Sequence, residues 1–78
     1  MINASIKLLD IVALMVDLPK DNLWRGQVGT VVEILADGTA FEVEFADRNG
    51  QTYESLGLES NQLIRLRFEP QPIDRVAA

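Results

Sequence analysis

The chain has 78 residues, 47% of them hydrophobic, and its twelve acidic against seven basic side chains give a net charge of −5. A single domain of this size buries only about 60% of its unfolded surface, so its core is small and its loops short, while the apolar content is too high for intrinsic disorder. With no cysteine and no histidine, the chain lacks disulfides, thiolate chemistry, the usual zinc ligands and the commonest general base.

The acids crowd the stretch from Asp10 to Glu59, where only Lys20, Arg25 and Arg48 oppose them, whereas Arg65, Arg67 and Arg75 gather near the C-terminus. This reads either as a solvated acidic surface with a basic tail or as an acidic docking face for a basic partner. It counts against nucleic acid, because affinity there comes mostly from neutralised phosphates. Residues 1–5 lack a basic leader region, and the apolar run Ile6–Leu18 is interrupted by Lys7, Asp10 and Asp17. No signal peptide and no membrane span are expected, and a cysteine-free domain fits the cytoplasm.

Leu8 to Leu18 reads as a first strand, with Val12, Leu14, Val16 and Leu18 on one face; the alternative is a helix over residues 3–16. Pro19 to Arg25 is a connecting loop, with turn chemistry at Pro19 and Asp21-Asn22. The central stretch Trp24–Leu35 carries Gly26 and Gly29 at the head of a valine-, isoleucine- and threonine-rich strand. Gly26 suits a positive φ. Both faces of this strand are apolar, which predicts a bulge at Gly29 that lets Val28 and Val31 both reach the core; the alternative is a buried strand with a merely permissive glycine.

Asp37-Gly38 predicts a type I′ hairpin turn. Phe41-Glu42-Val43-Glu44-Phe45 alternates without a break, which predicts a strand with its aromatics and valine inside and its glutamates in water. Asp47-Arg48-Asn49-Gly50 reads as a second type I′ turn, and Gln51–Leu56 as the return strand. Glu59–Gln62 suits a single 3₁₀ turn, and Leu63–Phe68 a last strand at the sheet edge, blunted by arginines. The sum is an all-β fold, a small SH3-like barrel of about five strands with a 3₁₀ turn before the last strand, though the spacing also permits another small barrel or sandwich. Residues 1–68 form the one domain and residues 69–78 a flexible tail.

Candidates for chemistry are sparse. Glu42 and Glu44 lie about 7 Å apart along one strand face, within reach of an inverting carboxylate pair, and Glu54 would complete a three-carboxylate metal site. Alternating acids on a wet strand face are ordinary, and Gly26-x-x-Gly29 lacks the lysine and helix of a phosphate loop. The reading is therefore of a non-enzyme without cofactor or metal. Trp24, the only tryptophan, sits in a polar loop. Either its ring caps the barrel, or it anchors an interface together with Arg25 and Tyr53, bordered by Asp17 and Asp21.

Gly26-Gln27-Val28-Gly29-Thr30-Val31-Val32-Glu33 followed by Phe41–Phe45, with Asp10–Leu14 leading to Leu18-Pro19 and Gln62-Leu63 opening the last strand, resembles a family of small bacterial proteins classed as a domain of unknown function. The resemblance spans about residues 8–67, and its motifs are all structural. Such proteins are often encoded beside toxin-like or nuclease-like neighbours, which implies an antitoxin or immunity role. The Gly-x-x-Gly-x-Val element is also similar to the KOW motif of ribosomal and elongation-factor modules. Of the basic residues those modules carry, only Arg25 is matched, and the following strand is acidic, so this likeness implies the barrel rather than RNA binding. The expected function is protein–protein binding through Asp17, Asp21, Trp24, Arg25 and Tyr53, with nucleic-acid binding and a structural subunit as alternatives, the latter docking or self-associating through the edge strand.

Overall fold

The computed structural model describes residues 6–67; the domain end at residue 68, Arg75 and the expected tail over 69–78 lie outside them. Five antiparallel strands form one sheet: β1 (Ile11–Leu14), β2 (Val28–Leu35), β3 (Ala40–Ala46), β4 (Thr52–Glu59) and β5 (Leu63–Arg65), in the order β4-β3-β2-β1-β5. Short 3₁₀ turns occupy Pro19–Asp21 and Ser60–Gln62, and a left-handed turn spans Ala36–Gly38. The all-β expectation, with a 3₁₀ turn leading into the last strand and that strand at an edge, is met.

β3 organises the core because its alternation has one reading. Phe41, Val43 and Phe45 are buried, while Glu42 and Glu44 lie on the other face, partly exposed. Opposite them pack Val12, Leu14, Val31, Leu58 and Leu63, closed over by Val16, Leu18 and Leu56. Leu23 also belongs to this core although it sits in the connecting loop. It exchanges two backbone hydrogen bonds with Leu18, at 2.8 and 3.2 Å, across the Pro19–Asp21 turn, and Asn22 takes the left-handed conformation at φ 58° that closes the turn.

β2 differs from the expectation in one respect that sets the whole surface. The bulge is at Val32, between Val31 and Glu33, and not at Gly29, which keeps regular pairing with both Phe45 and Val12. Gly29 marks a close approach instead: a Cβ there would lie 2.6 Å from Val43 Cγ1 and 2.8 Å from the Glu44 carbonyl oxygen. Val28 consequently faces outward and is 49% exposed. The bulge reverses the parity of the strand, so Gly29, Val31 and Ile34 pair with the inward residues of β3, and Thr30, Glu33 and Leu35 with its outward ones. A strand that is apolar on both faces is the sequence trace of this reversal.

The remaining corrections concern lengths and turns. β1 is shorter than the expected Leu8–Leu18, but its faces are as anticipated, and no helix forms over the described part of residues 3–16. β4 runs three residues beyond the expected Leu56, through Gly57, and buries Leu58. In the β2–β3 loop Asp37 and Gly38 have φ 55° and 91°, and the Thr39 amide donates to the Ala36 carbonyl at 3.1 Å, the left-handed pair of a type I′ turn. The second hairpin is not of that type, because only Gly50 is left-handed. Its turn is held by the Asp47 carboxylate, which accepts from the amides of Asn49 and Gln51 at 2.9 and 3.0 Å.

Candidate functional site

Trp24 takes its direction from Leu23. Leu23 points into the core, so its neighbour in extended chain points out, and Trp24 is 50% exposed. The chain then turns over Trp24–Gln27: the Gln27 amide donates to the Trp24 carbonyl at 3.0 Å, and Gly26, at φ 95°, supplies the left-handed residue. The Gln27 side chain fixes the rest. Its Oε1 accepts from the Trp24 amide at 2.5 Å, and its Nε2 donates to the Tyr53 hydroxyl. Tyr53 enters from β4 and is 43% exposed. The Arg25 amide, at the tip of the turn, donates to Asp17 Oδ1 at 2.8 Å.

Four of the five residues singled out from the sequence are thus tied into one region: Asp17 to Arg25 by a hydrogen bond, and Trp24 to Tyr53 through Gln27. Asp21, half-buried in the 3₁₀ turn, makes no side-chain hydrogen bond to the group. Gln27 was not anticipated, because a single glutamine between two glycines carries no periodic signal, and its role depends on a contact 26 residues away. Trp24 is not among the core residues and is half exposed, whereas its neighbour Leu23 belongs to the core cluster.

Of the three carboxylates considered for chemistry, two share a face of the sheet and the third does not. Glu42 and Glu44 share the outward face, with Glu42 Oε2 accepting from Ser55 Oγ at 2.6 Å, whereas Glu54 pairs with inward-facing Phe45 and so lies on the opposite face of the sheet. Among the described residues no three acidic side chains converge as a metal-holding group, and one ion pair occurs, Arg65 Nε to Asp10 Oδ2 at 3.1 Å. No helix among the described residues is long and apolar enough to cross a membrane.

An acidic, five-stranded β-domain with an aromatic, hydrogen-bonded surface turn is the class of protein these features define. Residues 8–65 match the family described as a domain of unknown function, DUF4926, and the chain belongs to that family. Neither the search of curated proteins nor that of solved structures gives a match.

Proposed function

We propose that the chain is a non-enzymatic protein-interaction module, built on an SH3-like, KOW-related barrel, that acts in the bacterial cytoplasm as an antitoxin- or immunity-like regulator of a protein encoded beside it. The observation that carries the reading is Gln27, whose side chain bonds the Trp24 backbone amide and the Tyr53 hydroxyl while both aromatic residues stay about half exposed, at 50% and 43%. Rigid aromatic side chains beside an arginine are the residues that contribute most to protein interfaces. Asp17 and Asp21 border the turn and favour a partner with cationic groups, chiefly through association rate.

The test compares wild type, Trp24→Ala and Tyr53→Ala as baits in lysate of the native host, followed by calorimetry on the protein captured. Trp24→Ala is expected to weaken that complex by about 2 kcal/mol or more, with an unchanged melting temperature. Equal affinity of the variant, or a large fall in its stability, overturns the reading and assigns Trp24 to the fold.

A further inference from the structure

The register places side chains on the outer face of the sheet in two zones. Ala13 of β1 pairs with Val28 on one side and Ile64 on the other, so these three form a row across β2, β1 and β5. Met15 stands on the same face one step along, where its amide donates to the Gln62 carbonyl at 2.8 Å. Val28, Met15 and Ile64 are 49%, 48% and 50% exposed, around an Ala13 that their packing leaves at 8%. Beyond Thr30 the same face turns acidic: Glu33 lies directly opposite Glu42, and Glu44 opposite Thr30. Like charges directly opposite on neighbouring strands work against folding, and among the described residues none of the three is in an ion pair.

Among the described residues the sheet edges are guarded, which leaves this face, not an edge, as the open side of the sheet. The Ser60 amide bonds to the Thr39 carbonyl at 3.3 Å and sets the alternation along β4, so that Ser55, Gly57 and Glu59 turn their backbone groups outward. Two of those outward amides are already occupied: Ser55 by Glu54 Oε1 at 3.2 Å, and Glu59 by Gln62 Oε1 at 2.8 Å. An added strand would have to displace both. β5 offers three residues at the other edge, too few for a stable strand addition.

We infer that the outer face of β1, β2, β3 and β5 docks an amphipathic, basic helix of another protein. Its aliphatic stripe lies on Val28, Met15 and Ile64, and its lysines or arginines reach Glu33, Glu42 and Glu44. The apolar row spans two interstrand gaps, about 10 Å, which is the width of one helix. A second copy of the chain is the wrong occupant on charge, since it would set one acidic row and one net charge of −5 against another. The inference rests on the reading of the chain as an interaction module but not on the Trp24 turn being the contact.

The test uses the isotope-labelled full chain titrated in NMR with synthetic peptides of about 15 residues, near the lower length for a helix. One is a leucine–lysine sequence with helical spacing, one its leucine–glutamate counterpart, and one the leucine–lysine composition scrambled to lose its apolar stripe. The lysine helix is expected to shift the resonances of Ala13, Val28, Thr30, Glu44 and Ile64, while the other two leave them in place. Val28→Asp or Ile64→Ser, each at a half-exposed site that the fold tolerates, should weaken binding tenfold or more, about 1.4 kcal/mol. The double variant Glu42→Lys with Glu44→Lys should transfer the preference to the glutamate helix. Equal binding of the scrambled peptide, no shift on this face, or self-association abolished by Val28→Asp would each overturn the inference. Shifts confined to Trp24, Arg25 and Tyr53 would overturn it while leaving the turn as a contact surface, and shifts on the face alone would do the reverse.

Discussion

Leu9 occupies a position whose twin in the same hairpin is a glycine. At one end of the β1–β2 pairing, Gly26 donates to the Leu14 carbonyl and Leu14 to the Gln27 carbonyl, at 2.7 and 2.9 Å. At the other, Leu9 donates to the Val31 carbonyl and Val31 to the Asp10 carbonyl, at 2.8 and 2.9 Å. Both are bulges whose first residue is left-handed, at φ 95° and 71°. A leucine in that conformation costs about 1–2 kcal/mol, against which the added flexibility of a glycine weighs about 0.5–1 kcal/mol. Since Leu9 is 69% exposed, Leu9→Gly should raise stability by up to about 1 kcal/mol in urea titration; a clear loss would show that its side chain packs. Gly29 gives the opposite case. The atoms a Cβ would strike include backbone oxygen, which does not yield as a side chain does, so Gly29→Ala should destabilise by about 1–3 kcal/mol or more, read as a large fall in melting temperature. The positive φ of Gly26 was legible in the sequence because the glycine stands just before a strand, whereas the crowded approach at Gly29 depends on which strand lies opposite.

At the scale of the element, legibility followed how local the cause was. β3 was readable because five residues of strict alternation leave one arrangement, and the 3₁₀ turn before β5 because Glu59 and Gln62 cap each other within four residues. β2 was misread because a bulge at Val32 and a bulge at Gly29 leave nearly the same apolar pattern in sequence, and only the pairing of Val31 with Val43 and Glu33 with Glu42 separates them. Leu23 was missed because the loop around it is polar and its burial depends on the bridge to Leu18. Two substitutions check this account. Val43→Ala, at a fully buried site, should cost about 1–3 kcal/mol by denaturant unfolding, large for so small a core. Glu33→Lys should stabilise by about 0.2–1 kcal/mol, because it turns the repulsion facing Glu42 into attraction; the gain should shrink as salt is added. A Glu33→Lys protein no more stable than wild type would place the two carboxylates on different faces and refute the bulge at Val32.

For the molecule as a whole, charge and apolar exposure point the same way. Nine large hydrophobic side chains among the described residues are exposed by more than a third, about as many as the core holds. Three of them, Met15, Val28 and Ile64, share the outer face with the acidic row on β2 and β3, the surface on which the proposed basic partner would dock. The sequence resemblance of Gly26–Val31 to RNA-binding modules suggests a competing account, and electrostatics separates the two. Binding to a phosphate backbone draws on released counterions, each released by a lysine or arginine near a phosphate, and at the Trp24 turn the basic side chain at hand is Arg25, whose own amide is tethered to a carboxylate. The protein at micromolar concentration should therefore give no gel shift with generic RNA or duplex DNA in about 150 mM salt. Lowering the salt should not rescue binding, since the net charge of −5 repels the polyanion more strongly as screening weakens. A complex that forms at low salt and dissolves as salt rises would show a cationic surface assembled from the C-terminal arginines, and would make nucleic acid, not protein, the partner to pursue.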